Sequence, residues 1–409
     1  VYSWVPRDVQ EKIFQIIHNN MVENGVAHVS YNTLPGWNIV KSFRDMMLYH
    51  IKQFDSYEEK AEQARTLMMF INEALKNDPS PYAEFLRNEM DILAYRSDSY
   101  LTHDHLGEVN DPVYFHEFID RAHKHDLLYL ADTPVSLMFV DNLPPTISDK
   151  LRGIDDIVRA GQYIDFIRNQ RFRNTFLCKK ETGPINRDIN REQIKNFFLT
   201  YNSTFEGEVP ESILEEDVPL TFKNDFITFT PSDEISKRAL MTLMNEHGKP
   251  MDFYHLCTIV AEETNKDKDF IIDYLCNETA FMRLFFGGLI GINSHGGWHT
   301  LVVGETPEAF FLARHAALER PYVTNMKHEI VALDAYERIL MQYLDGENTL
   351  EQIYEHMEDH MQKKELVFTD KEGKEITSEE EQKENHGLYF EQTMYKFAKE
   401  ALLVNKELK

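Results

Sequence analysis

Apolar positions recur at helical spacing over most of this chain and gather into short runs at a few places. Near the start, Pro6 suits a first helical turn, and Val9, Ile13, Phe14, Ile16 and Ile17 form one apolar face. Asn24-Gly25 is a stop signal; beyond it VAHVS at 26–30 predicts a short strand and YNTLPGW at 31–37 a loop. From Asn38 to about Leu75 the pattern is helical, with Ile39, Val40, Phe43, Met46, Met47 and Tyr49 on one face. Met68, Met69 and Ile71 supply another. DPSPY at 78–82 interrupts this pattern, and a second helix is expected to Tyr95. Residues 103–115 are irregular, 116–126 read as a helix, and LLYLAD at 127–132 as a strand. A turn at 141–146, helices near 147–153 and 158–170, and a strand at 172–179 complete the sheet begun at Val26.

A boundary is expected at ETGPINRD, 181–188. Beyond it, 199–231 look strand-rich, and helical segments follow at 232–248, 251–264 and after Asn265. RLFFGGLIGINS, 283–294, reads as a strand or hairpin, so three short helices ending in a ribbon suggest a winged-helix-like module. The cadence returns with a helix from Asp334 to Leu344 and a second one capped by Thr349. ELVFTDKEG then reads as strand and turn, 372–387 as a charged loop, and 388–404 as a final helix.

These elements give an α/β part followed by a mainly α part. At 409 residues the length allows about two or three domains. The 42% hydrophobic content excludes wholesale disorder. The 43 Lys and Arg stand against 69 Asp and Glu, and the resulting charge of −26 disfavours nucleic acid and anionic lipid as partners of the whole molecule. Cys178, Cys257 and Cys276 form no CxxC pair, which favours a reducing compartment. No signal peptide or membrane-length apolar run is visible, so the expectation is a cytoplasmic chain without stable membrane insertion.

YNTLPGW is the most distinctive local sequence. An amide and a phenol directly after a strand of an open sheet are placed to face a ligand, with Pro35-Gly36 setting the turn. The competing reading is a packed turn anchored by Trp37. His103, Asp104 and His105 invite a metal, since on a strand the two histidines would share a face. Two imidazoles, even with Glu108, His116 and Glu117 nearby, match no established spacing, so no metal site is assigned. His328 beside Glu329 reads as a core pair, and SHGGWH at 294–299 as a turn; no triad forms from them. There is no GxGxxG and no Walker sequence. Arg168, Arg171 and Arg173 form a basic spot that suits an acidic partner surface or an internal carboxylate better than nucleic acid.

VYSWVP, GVAHVSYNTLPGW, RDMMLYH, the stretch from Ser99 to Asp132, NLPP and QYIDFIRNQRFRNTFLC together resemble bacterial class I S-adenosylmethionine-dependent methyltransferases carrying a methyltransferase regulatory domain. Residues 313–346 resemble the C-terminal region of that family, whose relatives include protein-lysine methyltransferases. The resemblance implies a partial Rossmann-like sheet at 1–37, a helical insertion at 38–102, and the regulatory signature with closing strands at 103–180. Winged-helix-like modules would follow at 181–333 and 334–409. It places Tyr2, Trp4, Tyr31 and Asn32 along the active-site cleft, Tyr2, Ser3 and Trp4 beside the cofactor, and Trp37 in support. The family's glycine-rich loop and ribose-binding acid are absent, and Val1 falls inside a motif. The expectation is therefore the carboxyl-terminal part of a methyltransferase acting on protein lysine, binding S-adenosylmethionine weakly and inactive by itself. Its partners would be a lysine-presenting protein and the missing segment or a separate catalytic subunit. The alternatives are a non-catalytic regulatory or interaction subunit and, against the charge, a transcription regulator.

Overall fold

The fold described is that of a computed structural model, which describes residues 1–94, 96, 98–187, 190–206, 220–224, 227–277, 279–367 and 378–406. It divides into two compact units, 1–189 and 190–409.

The first unit is built on one three-stranded sheet. Strand β1 (Ala27–Asn32) and strand β2 (Leu127–Asp132) flank β3 (Phe172–Lys179), which runs antiparallel to both. The three expected strands thus join in one sheet. However, β1 continues two residues into the predicted loop, and its one strand partner among the described residues is antiparallel. Its burial alternates over the first four positions, because one face meets helices and the other does not. Helix α1 (Arg7–Asn20) packs Phe14 against Tyr2, Tyr31, Phe115, Phe118 and Leu177 to make the core on one face of the sheet.

The pattern read as one long helix is two, α2 (Trp37–Ile51) and α3 (Tyr57–Leu75). The break falls at Ser56, whose hydroxyl accepts the Glu59 N–H at 3.1 Å and starts α3. Folding back lets Phe43 and Met47 of α2 meet Ala61, Ala64 and Met68 of α3 and Leu86 and Met90 of α4 (Pro81–Ala94). A straight rod would leave both faces in water. Helices α5 (Phe115–His123), α6 (Pro145–Leu151) and α7 (Ile157–Arg168) complete the unit.

The three arginines of the basic spot turn inward. Arg171 pairs with buried Glu89, Arg168 donates to Leu137 O at 3.1 Å, and Arg173 is clamped between Asp132 and Asp165. Internal carboxylates answer Arg171 and Arg173, and a backbone carbonyl answers Arg168.

In the second unit β4 (Phe198–Tyr201), β5 (Thr204–Glu206), β6 (Thr221–Lys223) and β7 (Thr228–Phe229) occupy the strand-rich stretch. Helices α8 (Glu234–Asn245), α9 (Phe253–Thr264), α10 (Lys268–Asn277) and α11 (Thr279–Phe286) follow. The strand expected at RLFF is the end of α11; the glycines at 287 and 288 close that helix before β9 (Ile290–Asn293). Strand β4 lies between β9 and β8 (Met251–Asp252).

The rest holds α12 (Phe311–Glu319), the hairpin β10 (Tyr322–Thr324) and β11 (Ile330–Ala332), then α13 (Ala335–Tyr343), α14 (Leu350–Gln362) and α15 (Glu379–Lys399). This is a small helical module with a two-stranded ribbon around its own core. Thr349 caps α14, as the sequence predicts. The expected strand at 365–373 is not formed over 365–367, and its remainder lies outside the described residues. Helix α15 begins at Glu379, inside the expected charged loop, because Ser378 caps it. His328 and Glu329 are exposed rather than a core pair, and Glu329 instead bonds Asn325 and Lys327.

Candidate functional site

The strongest convergence of polar and aromatic groups lies where β1 ends. Thr33 seats the chain there: its N–H donates to Arg171 O (2.8 Å), and its hydroxyl to Val113 O (2.9 Å). Val113 N in turn donates to Asn32 O at 3.2 Å. Ser3 stitches the N-terminal segment to the same place. Its hydroxyl accepts the Asn32 N–H (2.8 Å), and its carbonyl the Asp111 N–H (2.8 Å).

Those bonds bring Trp4, Asn32 and residues 103–110 together around one carboxylate. Asp104 Oδ1 accepts from Trp4 Nε1 at 2.9 Å and from Asn32 Nδ2 at 3.5 Å. Asn32 Nδ2 also reaches Asn110 Oδ1 (3.2 Å), whose own amide nitrogen donates to Asp104 O (2.8 Å). The indole of Trp4 stacks on His103, centroids 5.6 Å apart and planes 18° from parallel. Trp4 remains 37% exposed, so one indole edge and the imidazole face the outside.

Residues 101–106 form a π-helical turn rather than the strand assumed for the metal reading. Such turns carry an extra residue per coil and occur often at functional sites. Here the wider turn separates the two histidines. His103 goes outward to Trp4, whereas His105 is buried against Trp37 (6.0 Å) and Tyr100 (5.9 Å). Burial lowers the His105 pKa to about 4 against the pull of Asp104, so its ring is neutral near pH 7. Burial, then the Asp104 charge, raises the Tyr100 phenol. Among the described residues no three His, Cys, Asp or Glu side chains gather to hold a metal.

The other expected cleft residues sit behind this surface. Tyr2 is 2% exposed, its ring packed among Phe14, Phe118 and Tyr31 and facing Arg121. Tyr31, 1% exposed, stacks on Phe118 with centroids 4.0 Å apart, and burial holds its phenol well above its usual pKa. Its hydroxyl meets Thr175 Oγ1 (3.1 Å), which donates to Asp132 Oδ1 (2.6 Å). Tyr129 OH donates to the other Asp132 oxygen, which also holds Arg173. A buried polar chain thus fixes Tyr31 from below. Trp37 is buried at the start of α2. Of the named residues, Trp4 faces outward, Asn32 holds the carboxylate, Ser3 ties backbone to backbone, and Tyr2 and Tyr31 form the floor. Asp104 carried a visible signal in its His-Asp-His run but no role; nothing in the sequence marks Asn110.

A sulfonium or an ammonium is a cation, and an exposed indole–imidazole face beside an oriented carboxylate suits one. The residues present therefore fit the charged end of S-adenosylmethionine or a lysine amine. The sequence contains no glycine-rich phosphate-type loop for the nucleoside end.

Comparison with known proteins adds three findings. A family model described as a predicted methyltransferase regulatory domain matches residues 97–179, and one described as the PKMT C-terminal winged helix domain matches 305–402. Protein RP789 of Rickettsia prowazekii is 36% identical over 417 residues, which span 99% of this chain and 73% of RP789; RP028 of the same organism is 45% identical over 124 residues, 30% of this chain and 50% of RP028. The solved structure of PKMT2 from Rickettsia typhi is similar with a TM-score of 0.83 at 33% identity, covering 99% of this chain and 80% of that one; its complex with AdoHcy gives 0.84 over the same shares at the same identity.

Proposed function

The chain belongs to the PKMT family of PKMT2 from Rickettsia typhi, and on that footing we propose that it forms the substrate-side part of an S-adenosylmethionine-dependent protein-lysine methyltransferase. The observation that carries this reading is the likeness to PKMT2 in complex with AdoHcy along 99% of the chain. The regulatory and winged-helix matches agree with it.

In this reading Trp4 and His103 supply the aromatic face, and Asp104 is the group that meets the lysine amine. S-adenosylmethionine, when bound, supplies an electrophilic methyl on a sulfonium. Attack requires a neutral amine with its lone pair aimed, and a carboxylate accepting one amine N–H aims it. Asp104 is pre-oriented for that by Trp4 Nε1 and Asn32, so little reorganisation is needed at the moment of reaction. As the N–C bond forms and the C–S bond breaks, the amine gains a methyl and releases a proton, which Asp104 is placed to take. Ser3 and Thr33 hold the backbone around it, and Tyr2 and Tyr31 stiffen the floor.

The test is a protein containing this chain, incubated with methyl-labelled S-adenosylmethionine and a lysine-rich protein. Lysine methylation located by peptide mass spectrometry is the expected result. Label confined to small molecules, or to side chains other than lysine, overturns the reading. Asp104→Asn keeps the shape but accepts one hydrogen bond fewer, and should lower kcat by about a hundredfold with KM for the cofactor little changed.

A further inference from the structure

A second concave surface, lined by none of the residues gathered around Asp104, lies between the solvent sides of two packed helices of the first unit. Helix α5 lends His116 and Asp120, and α7 lends Arg159, Tyr163 and Phe166, each set spaced so that it lies along one helix face. The cavity between them holds about 500 Å³, enough for a side chain and part of a backbone.

Its two walls differ. The α7 wall is aromatic: Tyr163 and Phe166 meet edge to face at 6.1 Å, and both are exposed. Arg159 lies over the Tyr163 ring at 6.0 Å, so part of its charge is already turned to an aromatic face. The α5 wall offers the exposed Asp120 carboxylate and the His116 ring. Gln162, a wall residue only 6% exposed, orients that ring. Its oxygen accepts from His116 N (3.2 Å) and faces His116 Nδ1 at 2.9 Å. An amide oxygen can only accept, so Nδ1 carries the proton and Nε2 presents a lone pair in the neutral ring. The Gln162 amide nitrogen is left with no acceptor among the described residues, a costly state for a buried donor.

We propose that this α5–α7 groove is a docking site for a lysine-bearing segment of the protein substrate, separate from the methyl-transfer site; it rests on the lysine-methyltransferase reading for the identity of its occupant. The chemistry matches feature by feature. Tyr163 and Phe166 cover an aliphatic stem and favour a cationic head, and Asp120 and His116 Nε2 accept from the ammonium. The exposed Asp120 carboxylate gives this groove a local preference for a basic partner over an acidic one. A second grip on the substrate would hold one lysine while another is presented to Asp104.

The test measures binding without cofactor, so it stands or falls independently of any methyl transfer. A fluorescent alanine–lysine peptide and its fully lysine-acetylated counterpart are titrated by anisotropy against the wild-type protein and against Phe166→Ala, Tyr163→Ala and Asp120→Asn. All four proteins are first checked for unchanged circular dichroism and Tm, and Asp120→Asn, an exposed isosteric change, is the variant least able to disturb folding. The expected result is weakening of the lysine peptide by about fivefold or more in each variant, with little binding of the acetylated peptide. Wild-type affinity in folded Asp120→Asn, equal binding of the acetylated peptide, or no binding by the wild type each overturns the proposal. If the peptide binds as expected but no lysine is ever methylated, the groove survives and the enzymatic reading fails.

Discussion

At the residue scale the molecule uses the same amino-acid types for opposite purposes according to burial. Asp104 is held by neutral donors at the surface. Asp132 and Asp165 share one buried guanidinium, that of Arg173, with Asp165 gripping it at 2.9 Å through both oxygens. Two buried carboxylates on one cation leave an excess negative charge, and burial outweighs the pull of Arg173 enough to raise the Asp165 pKa to about 6. A carboxyl raised above its unfolded value binds its proton more tightly when folded. Its contribution to stability is therefore full below about pH 4 and is lost as pH rises through about 6. Asp165→Asn keeps an acceptor for Arg173 and removes the titration. Between about pH 4 and pH 7 the wild type should lose about 2–3 kcal/mol relative to that variant, read from urea midpoints at each pH. Parallel curves for the two proteins would show that the pair does not titrate in this range. None of this was legible in the run of three arginines, because the sequence does not say which way a cation points.

At the scale of elements, legibility followed the period of the pattern. LLYLAD and FRNTFLCK became β2 and β3 at their expected positions, since short apolar runs between turn residues have few other uses. The division of α2 from α3 was hidden because no Gly or Pro marks residues 52–56; only Ser56, followed by Glu58 and Glu59, carried the signal of a new start. The π-helical turn at 101–106 was illegible for a different reason. Its extra residue is retained by tertiary contacts, His103 with Trp4 on one side and His105 with Trp37 on the other, and local propensity says nothing of these. Gly36 shows how closely the elements approach at the site. Its N–H donates to Gln170 O at 3.0 Å, and a Cβ there would lie 2.2 Å from Asn169 O and 2.5 Å from Gln170 O. Those atoms are backbone and cannot rotate away, so the turn before α2 would be pushed off the start of β3. Gly36→Ala should cost about 2–3 kcal/mol in chemical denaturation. It should also disturb Asn32 and Trp4 through Thr33, which Trp4 fluorescence quenching by iodide would report as increased access. An alanine variant of wild-type stability would mean the turn has room to move.

For the whole molecule, the distribution of charge matters more than its sum. Residues 190–409 hold 41 of the 69 Asp and Glu but 22 of the 43 Lys and Arg, a balance of −19 within the total of −26. The unit containing Asp104 and the α5–α7 groove is thus the less acidic one, and local geometry there must supply selectivity that net charge does not. The second unit has two apolar cores of its own. No helix among the described residues is long and apolar enough to cross a membrane. A field of this kind accelerates encounter with a basic protein and is erased by salt, whereas short-range contacts in a groove survive it. The association rate of a lysine-rich protein, followed by stopped flow, should therefore fall about tenfold or more between roughly 20 mM and 0.5 M salt, and the dissociation rate should change far less. Phe166→Ala should do the reverse, raising the dissociation rate while leaving the salt slope of association intact, because it removes contact and not charge. A flat association rate across that range would mean that the acidic surface of residues 190–409 plays no part in gathering substrate.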